Sequence, residues 1–149
     1  MIQTKGLPMF SVIPHLKLTQ IGAMALLNAA AERAAAMAQP QCIAIVDEGC
    51  NLLAFLRMDG AKILSEQSAI RKARTAASGR VPTGMAAMEI ELKLALATDG
   101  EVTNLKGGLP IIVDGKLVGG IGVGSGSGDQ DYEVANFALS QLVGAQTFD

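Results

Sequence analysis

Hydrophobic and polar positions along this chain follow two periods in turn. Between Thr19 and about Ala38, the residues Ile21, Ala25, Leu26, Ala29, Ala30 and Ala34 fall at helical spacing, one, three or four positions apart, while Glu32 and Arg33 face away. That spacing predicts a helix with one apolar stripe, capped by Thr19 and ended by Pro40. Cys42-Ile43-Ala44-Ile45-Val46-Asp47 and Leu52-Leu53-Ala54-Phe55-Leu56-Arg57-Met58 are short apolar runs around the turn Glu48-Gly49-Cys50-Asn51, and they predict a hairpin. Ser65 is placed to cap a basic helix from Glu66 to about Ser78, with Gly79 after its end. Thr83 is placed to cap a Met- and Leu-rich helix to about Ala97, and residues 99–106 carry turn signals around a candidate short strand. A second hairpin is predicted around Asp114-Gly115, and Ser127 with Gln130 spells a capping box for a last helix to about Leu142. Tight turns within both strand pairs call for antiparallel neighbours, so the order predicts an α+β fold rather than a parallel doubly wound one. Pro8 and Pro14 punctuate an irregular arm, residues 1–17, ahead of one domain at 18–149.

Composition narrows the core more than the function. The chain has 149 residues, a length for one domain, and half of them are hydrophobic. Only one Tyr and four Phe are present and Trp is absent, so small and aliphatic residues must fill the core, which favours close helix-on-sheet packing. A net charge of −2 with scattered Lys and Arg argues against nucleic acid and acidic membrane surfaces as partners. No apolar run approaches the ~20 residues of a membrane span, and the first fifteen residues lack the pattern of a signal peptide. Cys42 and Cys50 leave a disulfide open without requiring one, and two cysteines in a core-rich chain point to a reducing cytoplasm. Met24, Met37, Met58, Met85 and Met88 fall on apolar faces and are expected as core filler.

The segment from Gly119 to Gly128 joins a strand to a helix almost entirely through glycine and serine. Bare glycine Cα atoms admit a ligand, or a packed helix, close to backbone N–H groups. The spacing is not that of a dinucleotide fingerprint, because Ser127 stands where the third glycine belongs, and no Gly-Lys-Ser/Thr follows for a phosphate loop. Asp129 and Asp131 already bring negative charge to the helix start, which weighs against an anion there. Glycines 119, 120 and 122 serve equally as a pocket wall or as a packing device for a helix or second subunit.

Three cations stand out. On the basic helix, Lys72 and Thr75 lie near Ala69 and Ala76 on the wheel and are candidates to point together into a pocket. Lys72 would there anchor a carboxylate or act as a desolvated amine, against the plainer reading of a solvated basic face. Arg57, near the end of an apolar strand, suits bidentate capture of a carboxylate or a strand-end salt bridge. His15 is the only histidine, which excludes a two-histidine metal site. One imidazole is still enough for an axial ligand to haem iron, although a surface position is the plainer reading. No Gly-x-Ser-x-Gly elbow supports a serine nucleophile.

Three blocks of residues resemble a known family. They are Ile43 to Gly49 with Leu52 to Ala61, then Lys72-Ala73-Arg74-Thr75-Ala76, then Gly107 to Ile111 through Gly119 to Val123 and on to Asp129-Gln130-Asp131. In that order they resemble the GlcG/HbpS-like family of haem-binding proteins linked to haem degradation, over roughly residues 18–143. The resemblance implies a profilin-like domain, an antiparallel sheet flanked by helices, and assembly into a homo-oligomer. It also implies haem or corrinoid handling, or a place among catabolic genes for glycolate or aromatic compounds.

The leading expectation is a small cytoplasmic oligomer that binds haem, or a similar flat carboxylate-bearing ligand, and degrades it oxidatively at the metal. Arg57, Lys72 and Thr75 would hold the ligand, Gly107, Gly108, Gly124, Ser125 and Ser127 would shape its pocket, and His15 would take the iron. A second expectation is an enzyme of hydrolase, isomerase or deaminase type acting on a small carboxylated catabolic intermediate. Lys72 or Asp131 would be its acid/base and Arg57 its anchor. A third is a non-catalytic oligomeric accessory protein with the glycine-rich strand as interface.

Overall fold

Residues 11–149, which the computed structural model describes, form four helices and four strands. In chain order they are α1 (Gln20–Ala36), β1 (Cys42–Asp47), β2 (Leu52–Arg57), α2 (Ser65–Gly79), α3 (Met88–Ala97), β3 (Gly108–Val113), β4 (Lys116–Gly124) and α4 (Gly128–Ser140). The strands make one antiparallel sheet in the order β2-β1-β4-β3, so the fold is a single α+β domain as the turn chemistry predicts. Asp114 and Gly115, both at positive φ, close the second hairpin as a two-residue turn. Pro110 falls on the edge strand β3, where a missing N–H costs no outer ladder bond.

The sheet is covered on both faces. Ile43, Ile45, Leu109, Ile111, Ile121 and Val123 face α1 and α4, which lie side by side. On the other face, Cys42, Ala44 and Val46 of β1 meet Ala69, Ala73 and Ala77 of α2. Here the backbones approach closely because β4 offers no side chain. A Cβ at Gly120 would stand 2.3 Å from the Ala73 carbonyl oxygen, and one at Gly122 only 2.0 Å from that of Ala69. The alanine stripe of α2 and the alternate glycines of β4 are two halves of one contact. Of the two roles open to glycines 120 and 122, helix packing is the one the fold uses.

Several local expectations need correction. The stripe of α1 is rotated: Ala23 and Leu27 are buried, while Ile21 and Ala25 face solvent, because the helix is apolar nearly all round. Ser65 is the first residue of α2 rather than its cap, and Arg80, not Gly79, takes the left-handed position after it. Thr83 caps nothing. Its hydroxyl donates to the Leu105 carbonyl (2.6 Å) and accepts the Gly108 N–H (2.8 Å), pinning the loop to β3, so α3 starts only at Met88. Residues 99–106 form no strand. Met24, Met85 and Met88 are exposed rather than core filler. Thr19 and the Ser127/Gln130 capping box do cap their helices.

Gly122→Val is expected to destabilise the domain by about 3 kcal/mol or more, since neither backbone can retreat. Gly115→Ala, at an open turn with φ +75°, should cost only about 1 kcal/mol, and urea unfolding of the two variants checks the contrast.

Candidate functional site

The most polar point of the interior lies where α2, β4 and α4 meet. Lys72 is 4% and Asp131 2% exposed, and Lys72 Nζ donates to Asp131 Oδ2 and to the Val123 carbonyl, each at 2.8 Å. The second oxygen of Asp131 accepts the Gly126 N–H (3.0 Å), a donor shared with Gln41 Oε1 at 3.2 Å. Gln41 is fully buried with its side-chain amide beside the Asp131 carboxylate, and its Nε2 has no hydrogen-bond partner of good geometry among the described residues. Two glycines make room for the pair. A Cβ at Gly107 would sit 2.6 Å from Asp131 Cβ and 3.1 Å from Lys72 Nζ, and one at Gly108 would sit 2.4 Å from the Lys72 carbonyl. Burial pushes the Asp131 carboxyl above its ordinary pKa, against the opposing pull of Lys72 and the Gly126 N–H.

The pair forms the floor of an open cavity of about 210 Å³, whose walls include Lys62, Ser68, Lys106 and Ser125. Ser125 is 8% exposed and holds φ +95°, an unusual conformation for a non-glycine residue. Its hydroxyl accepts the Lys62 N–H at 2.9 Å. Lys106 reaches Asp129 at 2.5 Å. Lys62 and Lys106 carried no signal in the sequence beyond their charge, because their convergence depends on how the α2 start meets the α4 start.

The remaining candidates are dispersed. Thr75 does not share a pocket with Lys72: its hydroxyl donates to the Glu101 carbonyl and accepts the Thr103 N–H, tying residues 99–106 to α2. Arg57 is exposed at the end of β2, opposite Cys42, and does not line the Lys72 cavity. Ser127 is spent on its helix cap, and Gly124 lies against Ser68 and Ser65. Cys42 and Cys50 are free; their thiols face the carbonyls of Lys62 and Arg74, and burial pushes both pKa values up.

His15 belongs to a different place. It lies at the β1–β2 turn, with Nε2 3.4 Å from Glu48 Oε1, and its side chain is 42% exposed. Cys42 pairs with Gly124 and Asp47 with Gly119, so the turn and the Lys72 cavity stand at opposite ends of β1, about 17 Å apart. Around the histidine in sequence, Val12, Ile13, Leu16, Ile21 and Met24 are exposed, and Ile21, Met24 and Leu53 share a groove of about 530 Å³. His15, Arg57, Lys72 and Thr75 therefore do not surround one ligand. Among the described residues no three His, Cys, Asp or Glu side chains converge as a metal site, and no helix is long and apolar enough to cross a membrane.

A four-stranded antiparallel sheet between one helix and a helix pair, with a buried ion pair at the glycine loop, defines the class of domain. The family model described as haem-degrading protein HbpS-like matches residues 18–140, and the chain belongs to that family. It is 38% identical to the protein GlcG of Escherichia coli over 107 residues, 71% of this chain and 80% of that one. It is similar to the crystal structure of a PduOC–haem complex, with a TM-score of 0.82 and 28% identity over 90% of this chain and all of that one. A double mutant of Streptomyces reticuli HbpS gives a TM-score of 0.79 and 32% identity, covering 95% of this chain and 98% of the other.

Asp131→Asn leaves the Lys72 ammonium buried without a counter-charge and is expected to cost about 3–5 kcal/mol at pH 7. Because the folded-state pKa of Asp131 is raised, the stability gained by protonating it is complete below the ordinary aspartate range and is lost as pH rises through the folded value. The gap between variant and wild type should thus widen as pH falls through that value, because only the wild type gains by protonation, and denaturant midpoints across an acid pH series check this.

Proposed function

We propose that this chain binds haem on the surface made by residues 12–24 and the start of β2, with His15 as iron ligand. The observation that carries this is an exposed imidazole in a stretch of chain whose apolar side chains Val12, Ile13, Leu16, Ile21 and Met24 are exposed as well. Those residues fit the group: a flat apolar macrocycle needs an apolar platform and one axial nitrogen, and Glu48 restrains the imidazole ring. Support comes also from the family's description and from the relative solved with haem. When bound, haem supplies redox chemistry, including oxidative opening of its own ring by peroxide or O₂. The chain's part is to hold the ligand and shield one face. Lys72 is not available there as a carboxylate anchor, being buried at the other end of the sheet. Two free thiols accord with a reducing cytoplasm.

We infer further that the chain works as a homo-oligomer. α3 buries none of its residues, and Met88, Leu92 and Leu96 are between 68% and 83% exposed. An apolar helix that finds no core in its own domain is well suited to a second copy.

A second activity, acid/base chemistry on a small carboxylated molecule, is favoured by the placing of Lys72 and Asp131 on a cavity floor. Asp131 would accept or return a proton, with Lys72 holding its charge. Arg57 lies outside that cavity and is not its anchor.

Titration of the purified chain with haemin is expected to give a saturable, stoichiometric red-shift of the Soret band that His15→Ala abolishes. A featureless response in the wild type would sink the haem reading. Replacing Leu92 and Leu96 together by Glu should lower the mass seen by sedimentation velocity while leaving the far-UV circular dichroism unchanged. A wild type that already sediments as a monomer would refute the oligomer.

A further inference from the structure

Resting on the catalytic reading for its choice of cavity, we propose that the space above the Lys72–Asp131 pair binds a small monocarboxylate through Lys62, Lys106 and the Ser125 hydroxyl. The cavity, about 210 Å³ and open to solvent, is too small for a macrocycle and matches an anion of a few heavy atoms. It also lies at the far end of β1 from His15.

Charge sets the valence of the ligand. Three lysines line the cavity. Asp131 answers Lys72 and Asp129 answers Lys106, whereas Lys62 has no acidic partner among the described residues. One positive charge is left over, which a monoanion balances and a dianion exceeds. The two aspartates at the start of α4 do not repel such a ligand, because each is already paired with a lysine.

Two buried donors remain unspent. Lys72 uses two of its three N–H groups, on Asp131 and Val123, and lines the cavity. Ser125, nine-tenths buried, accepts from the Lys62 N–H, but its own O–H has no acceptor among the described residues. A buried hydroxyl without an acceptor is costly, and a carboxylate oxygen in the cavity satisfies it. Ser125 does so from φ +95°, where glycine would be the easy choice in a loop otherwise rich in glycine. Its side chain, not its backbone, accounts for its presence.

The test is titration of the full chain with pyruvate, with inorganic phosphate in parallel, followed by amide NMR. Pyruvate should give saturable shifts at Gly126, Gly128 and Asp129. Lys62→Gln, at an exposed position, should weaken it about tenfold, the loss of one charge-assisted contact. Ser125→Gly, which suits that backbone, should weaken it while the fold persists, and His15→Ala should leave it unchanged. Absence of saturable shifts, affinity unaltered in both Lys62→Gln and Ser125→Gly, or tighter binding of phosphate would each overturn the site. Catalysis is read apart, by deuterium exchange at the pyruvate methyl group. Binding without exchange upholds the site and counts against proton transfer there.

Discussion

The contact between a glycine strand and an alanine helix governs this molecule. Gly120 and Gly122 present bare backbone to α2, and Ala69, Ala73 and Ala77 let its main chain descend onto the strand. The approach fixes the height of α2 above the sheet and hence the reach of Lys72. With Gly107 and Gly108 also bare, the lysine arrives between β4 and α4 at hydrogen-bond distance from Asp131. A helix held one side-chain layer further away would leave both charges short of each other.

The ion pair this creates is a constraint as much as a support. Taking two charges out of water costs several kcal/mol per ion, and attraction repays it only when geometry is good and the remaining polar atoms find partners. Here the Val123 carbonyl, at the end of β4, and the Gly126 N–H, in the loop that leads into α4, supply most of those partners. The pair thereby ties the start of α4 to the middle of α2 and holds the glycine-serine loop open as a cavity wall. What stays without a partner among the described residues, the Gln41 amide nitrogen and the Ser125 hydroxyl proton, marks where polar satisfaction is incomplete.

The sheet separates two chemistries. At the β1–β2 turn an exposed imidazole meets Glu48, in a stretch of chain whose aliphatic side chains are exposed. At the other end of the same strand, lysines and serines surround a small polar space. Arg57 and Thr75 are drawn into neither site. A single shared pocket would require the chain to bring both ends of a six-residue strand to one ligand, which the register forbids.

Turn chemistry, caps and short-range periodicity are local properties, so both hairpins, the Thr19 cap, the capping box at Ser127 and the α+β class were legible in the chain itself. Family membership was legible too, because it rests on ordered blocks of residue types. The rotation of α1 was not, since a helix apolar on most of its faces shows no preferred one until a sheet selects it. Nor was the role of Thr83, whose hydroxyl serves a strand that begins twenty-five residues later. Lys72 and Asp131 each looked chemically capable, but wheel geometry paired Lys72 with Thr75, its neighbour along the helix. The sequence by itself determined what each short segment would form, because backbone preference and side-chain period act over a few residues. Only the tertiary structure decided which charges meet, because that depends on how closely a helix can settle on glycines fifty residues away.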